Sequence, residues 1–446
     1  MIDGNESESA RLFIAQIIKG SLLVSFGTII YTLCNFLFKF FLLRNWTPDE
    51  YGIFTLVLTI VGVVGVFAEF SLNTSATVFI ARKGESKDRL RVISAVSVSY
   101  VLLVTCSFLA TFVIVFLLPS EYAALQIFKQ HFGLIWILIF VTGLAAISYG
   151  IARGYKRLSF EAAAKAGSGF AMVGVLALLL ASLSRFGIEA SLGILVISQA
   201  VVPLIVVILF ARTLTRSNEI GLVKRGLNYV GTLKFPDILG VLRFSFFMSG
   251  LGVLGIILSS IDKLIIPAVL STEMLGFYSG AYFIVSIPKV ITGSVATTIQ
   301  PYVSERSHNL RDAKRVYLAF LSMIAVIAIV GYGAMIVFAG ETLFLLPSEY
   351  SWIAHVVQIL LVGMLLSDVF LFNATFISSL RLTKGIRQLI LAMFTAVLIN
   401  IALNLVLIPR LGIEGAAYAA TVSFAFLAAA SILQVMFVEK LGATMA

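Results

Sequence analysis

The chain has 446 residues, of which 60% are hydrophobic and 12% are charged, and it carries a net charge of +10. A soluble domain is about half apolar and about a quarter charged, so this composition excludes a soluble globular protein and indicates a polytopic membrane protein. The two cysteines, Cys34 and Cys106, lie in apolar runs. We expect both to be small buried side chains, because their spacing fits neither a disulfide framework nor a metal site.

A membrane-spanning helix needs about 20 predominantly apolar residues, and twelve segments of the chain meet this requirement. In chain order the predicted spans are 20–43, 53–81, 92–118, 132–152, 162–183, 190–211, 244–267, 275–301, 316–339, 352–378, 388–408 and 414–438. The apolar runs are long and continuous, whereas an outer-membrane barrel shows alternating segments of about ten residues. We therefore predict an all-α membrane protein.

The sequence contains an internal repeat. The segment Phe116–Tyr122 recurs as Phe344–Tyr350, and Lys19–Thr55 aligns with Arg243–Ser279 without a gap. Self-similarity over such long stretches marks a duplicated structural unit. The Pro-Ser-Glu-Tyr end of the repeated segment predicts a helix terminus at the outer face, with an extracellular gate as the alternative.

The repeat predicts two lobes joined by a linker. We expect an N-terminal lobe of six helices at 1–211, a cytoplasmic linker at 212–243 and a C-terminal lobe of six helices at 244–446. Six helices return the chain to its starting side of the membrane, so the lobes should be parallel repeats. That is the arrangement of a transporter with two lobes around a central cavity.

Positive charge predicts the orientation. Most of the 32 lysines and arginines fall on one side of the predicted spans. Connections rich in lysine and arginine face the cytoplasm. We therefore place both termini in the cytoplasm and the protein in a cell (plasma or inner) membrane. The net charge then reflects topology and contact with anionic lipids, and we expect no nucleic-acid partner.

Several function classes find no support in the sequence. The predicted outer connections are short, whereas a membrane glycosyltransferase, polymerase or ligase acting outside would usually need a sizeable loop there. The chain has no Gly-x-x-x-x-Gly-Lys loop for a nucleotide and no His/Cys cluster at metal-ligand spacing. We expect neither an enzyme, nor a metal site, nor a cofactor, apart from coupling to a proton or sodium gradient.

Four segments carry a resemblance to a known family. They are Asn45–Phe54, Ile261–Pro267, Leu275–Tyr282 and Leu411–Ala420. They resemble the polysaccharide-transporter and O-antigen flippase family of the multidrug/oligosaccharidyl-lipid/polysaccharide exporter superfamily. The resemblance covers nearly the whole chain and implies twelve or fourteen helices in two lobes, with alternating access for a lipid-linked oligosaccharide. Its partners would be that substrate, membrane lipids, and membrane proteins that polymerise or ligate glycans.

Such a substrate carries an anionic phosphate or pyrophosphate, a polar glycan and an apolar tail, so a flippase needs a wet, cationic cavity. Lys39 and Lys263 occupy equivalent positions of the repeat. Each lies about 30 Å along its helix from a cytoplasmic cation. They either snorkel to the outer headgroups or face the cavity and receive the phosphate. Asp262 adjoins Lys263, but adjacent helical side chains point about 100° apart, which disfavours a salt bridge.

Ionisable residues in the middle of a span are costly and are functional hypotheses by default. Lys289 follows Pro288, which favours a kink, and we predict that this lysine contacts the substrate phosphate. The alternative is a structural ion pair with Glu69 or Asp368. These two acids and Asp262 are candidates for coupling to a proton or sodium ion, or else they are buried structural acids.

Uncharged polar residues within the spans form a further group of candidates. They could line the cavity and bind glycan hydroxyls, or form interhelical hydrogen bonds. This group contains Asn35, Asn73, Gln300 and Asn373. Beside the flippase, two functions remain open: a cation-coupled multidrug antiporter of the same superfamily, which would need an acid-lined cavity, and a membrane scaffold, which the charges within the spans disfavour.

Overall fold

A computed structural model of the chain is helical throughout most of the residues it describes, with no strand among them. The described residues are 3–82, 86–117, 123–155, 157–181, 187–199, 205, 235–305, 309–380 and 383–438. Side chains are described from Leu23 onward with further gaps, one of which contains Gln300. The prediction of an all-α fold is confirmed.

The described helices follow one another with short connections. In the first half they are α1 (Asp3–Asn45), α2 (Pro48–Glu69), α3 (Leu72–Arg82), α4 (Ser86–Leu117), α5 (Ala123–Gln130), α6 (Phe132–Gly154), α7 (Leu158–Ala181) and α8 (Ile188–Gln199). In the second half they are α9 (Phe235–Val269), α10 (Thr272–Glu305), α11 (Leu310–Val337), α12 (Ala354–Ser379), α13 (Thr383–Leu411) and α14 (Ile413–Met436). A short helical segment, Ala339–Thr342, and the 3-10 turns Leu343–Leu345 and Ser348–Ile353 connect α11 to α12.

Local sequence explains where several helices begin. At the start of α2, the Thr47 backbone N–H donates to the Glu50 carboxylate at 2.9 Å, and the Glu50 N–H donates to the Thr47 hydroxyl at 3.3 Å. This reciprocal pair is a capping box, and Pro48 occupies the first helical position, where no N–H is needed. Before α14, Gly412 has a φ of 61°, a conformation that favours glycine.

The described residues contain ten helices long and apolar enough to cross a membrane, and all ten correspond to predicted spans. The protein is therefore a multi-pass membrane protein. The predicted span 275–301 falls within α10, and the span 190–211 begins in α8 and continues outside the described residues. The total of twelve spans, the orientation of the termini and the kink at Pro288 stay predictions.

The second predicted span is divided in two. A continuous helix was expected over 53–81, but α2 ends at Glu69 and α3 begins at Leu72. Phe70 and Ser71, between them, have φ values of 47° and 55°. For residues other than glycine this left-handed conformation is strained and persists only where surrounding contacts hold it. Residues 66–74, around the break, contain no proline or glycine that would have predicted it.

The contacts divide the chain into two compact units. The first unit contains 1–41, 60–119 and 128–249, and the second contains 42–59, 120–127 and 250–446. The predicted lobe boundaries stay a prediction, because most of the linker at 212–243 lies outside the described residues. Since the division after Ser249 lies within α9, the two parts of that helix belong to different units.

The core of the first unit lies where α3 packs against α4 and α6. Its buried members include Leu72, Ala76, Ile80, Val96, Tyr100 and Ile147. The Thr77 hydroxyl on α3 donates to the Gly150 carbonyl on α6 at 3.0 Å. A Cβ on Gly150 would collide with the Asn73 backbone, so a small residue is required for this close approach.

In the second unit, α12 packs against α10, α11 and α14, and α13 packs against α14. The second copy of the repeated segment lies beside this bundle. Pro347 separates the two 3-10 turns, so the segment ends a helical stretch, and its placement at the outer face stays a prediction. Tyr350 is fully buried. A Cβ on Gly280 would lie 2.5 Å from its ring, so Tyr350 fills the space that Gly280 leaves. Most of the motif in the first copy lies outside the described residues.

Candidate functional site

Lys289 lies on α10 of the second unit and is half-buried. Its Nζ lies 3.3 Å from the Ser367 hydroxyl and 3.7 Å from the Met364 sulfur, both on α12. Among the described residues no carboxylate forms an ion pair with Lys289. Among these residues the ammonium group contacts only weak, neutral acceptors. No carboxylate among them compensates its charge by direct contact. A half-buried cation in this state can bind an anion.

Asp368 lies on α12 and is 4% exposed. Its Oδ2 accepts hydrogen bonds from Thr292 of α10 at 2.5 Å and from Tyr332 of α11 at 2.6 Å. Its buried Oδ1 has no hydrogen-bond partner among the described residues. Lys289 is within electrostatic range but not in contact. One oxygen of the carboxylate thus ties three helices together, while the other is left for a proton, a cation or water.

Asp262 and Lys263, on α9, do not pair with each other through their side chains. The Asp262 carboxylate accepts from the Tyr278 hydroxyl at 2.5 Å and from the Lys263 backbone N–H at 2.8 Å. The Lys263 Nζ donates to the Ser259 carbonyl at 2.6 Å and lies 4.1 Å from the centroid of the Tyr282 ring. The two side chains therefore diverge, as their adjacent positions on a helix require.

The second unit consequently contains one polar network. Lys263 and Asp368 are both within electrostatic range of Lys289, while Asp262 accepts from Tyr278 of α10 and Asp368 accepts from Tyr332 of α11. Two lysines and two aspartates thus lie within the helices of the second unit. The structure brings together Lys289, Lys263, Asp262 and Asp368 from the sequence prediction.

Four of the other predicted residues, Asn35, Lys39, Glu69 and Asn73, lie in the first unit. Lys39 and Asn35 lie on α1 and are half-buried, and Asn35 is a hydrogen-bond partner of Tyr31. Glu69 ends α2 directly before the strained Phe70. Among the described residues its carboxylate makes no hydrogen bond, but Arg153 is within electrostatic range.

Two predicted amide residues are used in local contacts. The Asn73 side-chain oxygen accepts from the Thr74 N–H at 2.5 Å in the first turn of α3. Asn373 accepts from Tyr317 at 2.7 Å and donates to Ser431 at 3.0 Å, so it joins α11, α12 and α14. Gln300 lies outside the described side chains. In this structure Asn373 is an interhelical contact, buried within the bundle.

Sequence reasoning missed a buried charge cluster between α6 and α7. The Glu161 side chain is 0% exposed and its carboxylate takes a two-bond contact from Arg153, with Nε to Oε2 at 2.6 Å and Nη2 to Oε1. The Lys165 Nζ lies 2.9 Å from Oε1 of the same carboxylate and 3.2 Å from the Thr28 hydroxyl on α1. Arg153 and Lys165 lie at the connection between two predicted spans, where positive charge is ordinarily explained by topology. The spacing of Glu161 and Lys165, one helical turn apart, was the available signal.

The multi-pass helical fold is shared with several solved structures. The chain superposes with a TM-score of 0.73 and 14% identity on an inward-facing multidrug resistance MATE family transporter of the MOP superfamily, covering 96% of this chain and 100% of that one. An outward-facing transporter of the same description gives a TM-score of 0.62 and 16% identity, covering 96% of each chain.

The lipid II flippase MurJ, in an inward closed conformation, gives a TM-score of 0.68 and 14% identity, covering 93% of this chain and 87% of that one. No curated protein matches the sequence. A family model described as polysaccharide biosynthesis protein matches residues 41–356. The chain belongs to this polysaccharide biosynthesis protein family and has the fold of the MOP superfamily.

Proposed function

We propose that the protein is a flippase that moves a lipid-linked oligosaccharide, built on a polyisoprenoid phosphate or pyrophosphate, from the cytoplasmic to the outer leaflet by alternating access. Surface polysaccharide or glycan synthesis would use the product. The observation that carries the proposal is Lys289, a half-buried cation within α10 that is held by neutral acceptors. Membership of the polysaccharide biosynthesis protein family and the shared fold with a lipid II flippase support it.

The chemistry of the substrate explains the role of Lys289. A phosphate ester cannot cross hydrocarbon unless its charge is compensated. An ammonium group without a carboxylate partner supplies that compensation, and its three N–H donors suit a phosphate as a point charge. Lys263 adds positive potential, although its own donors are partly used by Ser259 and Tyr282. Lys39 is the equivalent residue of the first repeat and has the same proposed role.

Asp368 supplies the candidate coupling site. Its Oδ1 is buried and has no partner among the described residues, so binding a proton or sodium ion there would satisfy it. Because Lys289 is within electrostatic range, a cation at Asp368 would raise the positive potential at the phosphate site. Glu69 is the corresponding candidate of the first unit, and Asp262, whose oxygens both have partners, is the weakest of the three.

A gene-deletion strain provides the test. Wild-type protein and Lys384→Gln should restore the surface glycan, whereas Lys289→Gln should leave the lipid-linked oligosaccharide on the cytoplasmic side. Lys384 is an exposed lysine at the start of α13 and serves as a matched control for the same change. Full restoration by Lys289→Gln, at equal protein level, would exclude its role in substrate binding.

The second candidate function is a cation-coupled multidrug antiporter. The partly unsatisfied Asp368 and the shared fold with MATE transporters favour it, because a buried carboxylate can bind an organic cation. Lys289 opposes it, since a cationic drug would be repelled there. Efflux of ethidium from cells that express the protein distinguishes the two functions: the antiporter requires efflux above that of the empty vector, and the flippase requires none.

A further inference from the structure

The cluster of Arg153, Glu161 and Lys165 has more positive than negative charge. One carboxylate faces two cations, and Glu161 is 0% exposed while Arg153 and Lys165 remain 38% and 22% exposed. The fully buried acid is therefore covered by its two partners, which reach accessible space. Two cations around one carboxylate stabilise the buried acid and still leave a net positive charge at the surface of the cluster.

Both cations also retain donors that no acceptor among the described residues uses. Arg153 contacts Glu161 through Nε and Nη2, and among the described residues its Nη1 has no acceptor. Lys165 uses two of its three donors, one on Glu161 and one on Thr28. Since the guanidinium is locked by the two-bond contact, its remaining edge is held in a fixed direction, which lowers the entropic cost of binding an anion.

The packing of the helices brings Arg153 and Glu161 together. Arg153 lies in the last turn of α6 and Glu161 in the first turn of α7. A Cβ on Gly27 would lie 2.5 Å from the Ala162 carbonyl oxygen, so α1 approaches α7 closely enough for Thr28 to meet Lys165. The connection between α6 and α7 is one of the positively charged connections that the sequence assigns to the cytoplasmic side.

We propose that Arg153 and Lys165 form a second anion-binding site, in the first unit, that takes the phosphate or pyrophosphate of a polyprenyl lipid at its cytoplasmic starting point. This inference rests on the proposed function. Glu161 is the positioning residue, because it contacts both cations from the buried side. Glu69 is within electrostatic range of Arg153 without bonding to it, so its charge weakens the site but does not occupy it.

The test uses purified full-length protein in phosphatidylcholine nanodiscs. Farnesyl pyrophosphate is the probe and farnesol is its uncharged control. Arg153→Gln and Lys165→Gln should each lower the affinity for the probe about tenfold, the loss expected for one charge-assisted hydrogen bond. Arg315→Gln is the matched control, since Arg315 forms an exposed ion pair with Asp312. It should leave the affinity unchanged.

Glu161→Gln separates a binding site from a purely structural cluster. It should lower both the thermal stability and the affinity for the probe, because the amide accepts only one of the two bonds that hold the Arg153 guanidinium; in a purely structural cluster only the stability would change. Glu69→Gln should raise the affinity without altering the contact to Glu161. If Arg153→Gln does not fold, the double variant Arg153→Gln with Glu161→Gln replaces it, since two amides can hydrogen-bond to each other.

Different outcomes exclude different claims. If wild type binds the probe but Arg153→Gln and Lys165→Gln bind it equally well, this second site is excluded while the proposed function stands. If wild type binds the probe no better than farnesol, the proposed function fails as well. Competition by phosphatidylglycerol equal to that by unlabelled probe would overturn the assignment to a polyprenyl substrate, because the site would then be one for ordinary anionic lipids.

Discussion

Gly52 and Gly276 hold two helices together by a reciprocal contact. They occupy equivalent positions of the repeat, and so do Pro48 and Thr272. A Cβ on Gly52 would overlap the Thr272 carbonyl oxygen, and a Cβ on Gly276 would overlap the Pro48 carbonyl oxygen. The Thr272 hydroxyl also donates to Asp49. The start of α2 and the start of α10 therefore cross with local two-fold symmetry within the second unit.

Replacing either glycine should loosen this crossing. Gly52→Ala and Gly276→Ala should each lower the free energy of unfolding by about 1–3 kcal/mol, because a methyl group would meet a backbone carbonyl that cannot rotate away. Thermal unfolding in detergent measures the effect. Gly62→Ala is the control, since no atom lies within 4 Å of its Cβ position. It should be neutral or slightly stabilising, and equal stability of all three variants would contradict the contact.

Lys289→Met should separate stability from transport. If the lysine is an uncompensated cation, an apolar side chain of similar length should leave the melting temperature unchanged or higher while transport is lost. Lys263→Met should instead lower the melting temperature, because it removes the contacts to Ser259 and Tyr282. A lowered melting temperature for Lys289→Met would support a structural ion pair with Asp368.

Asp368→Asn tests the coupling site. The amide cannot carry the negative charge that binds a proton or sodium ion, so transport should lose its dependence on the ion gradient. Substrate uptake measured with and without an imposed gradient checks this. Asp262→Asn is the control, because both oxygens of Asp262 already have partners. It should change stability and keep the gradient dependence, and retained dependence in Asp368→Asn would exclude this site.

Ser71→Gly should relieve the strain between α2 and α3. A left-handed conformation suits glycine, so the free energy of unfolding should rise by about 1 kcal/mol. Ser148→Gly, within α6, should lower it by about the same amount, because glycine disfavours helix interiors. Chemical denaturation of the two variants compares them. A stability loss in Ser71→Gly would show that the side chain, and not the backbone, matters at this position.

The sequence predicted the helices well because hydropathy and length decide membrane helices almost alone. It also singled out Lys289 and Asp368 as candidates, since charges stand out in apolar runs. The sequence did not indicate Arg153 and Glu161 as candidates, for the opposite reason. They lie beside a charged connection, where cations are ordinarily explained by topology, and their burial depends on how α6, α7 and α1 pack.

The break at Phe70 and Ser71 could not be predicted for a different reason. Neither residue favours a left-handed conformation, so tertiary contacts overrode local preference. The repeat did show that Gly52 and Gly276 are equivalent, but a sequence alignment does not reveal that equivalent residues touch. Equivalence along the chain and contact in space are separate properties, and only the second depends on the helix crossing.

The central claim is that a lipid-linked anion is moved and that Lys289 binds it. Proteoliposomes with a polyprenyl-pyrophosphate-linked oligosaccharide in one leaflet test both parts, with a membrane-impermeant glycosidase reporting arrival in the other. Wild type and Lys384→Gln should expose the glycan at the same rate, and Lys289→Gln at a rate at least about tenfold lower, as expected for the loss of a charged contact. Equal rates for Lys289→Gln and wild type, or for wild type and protein-free liposomes, would contradict the account.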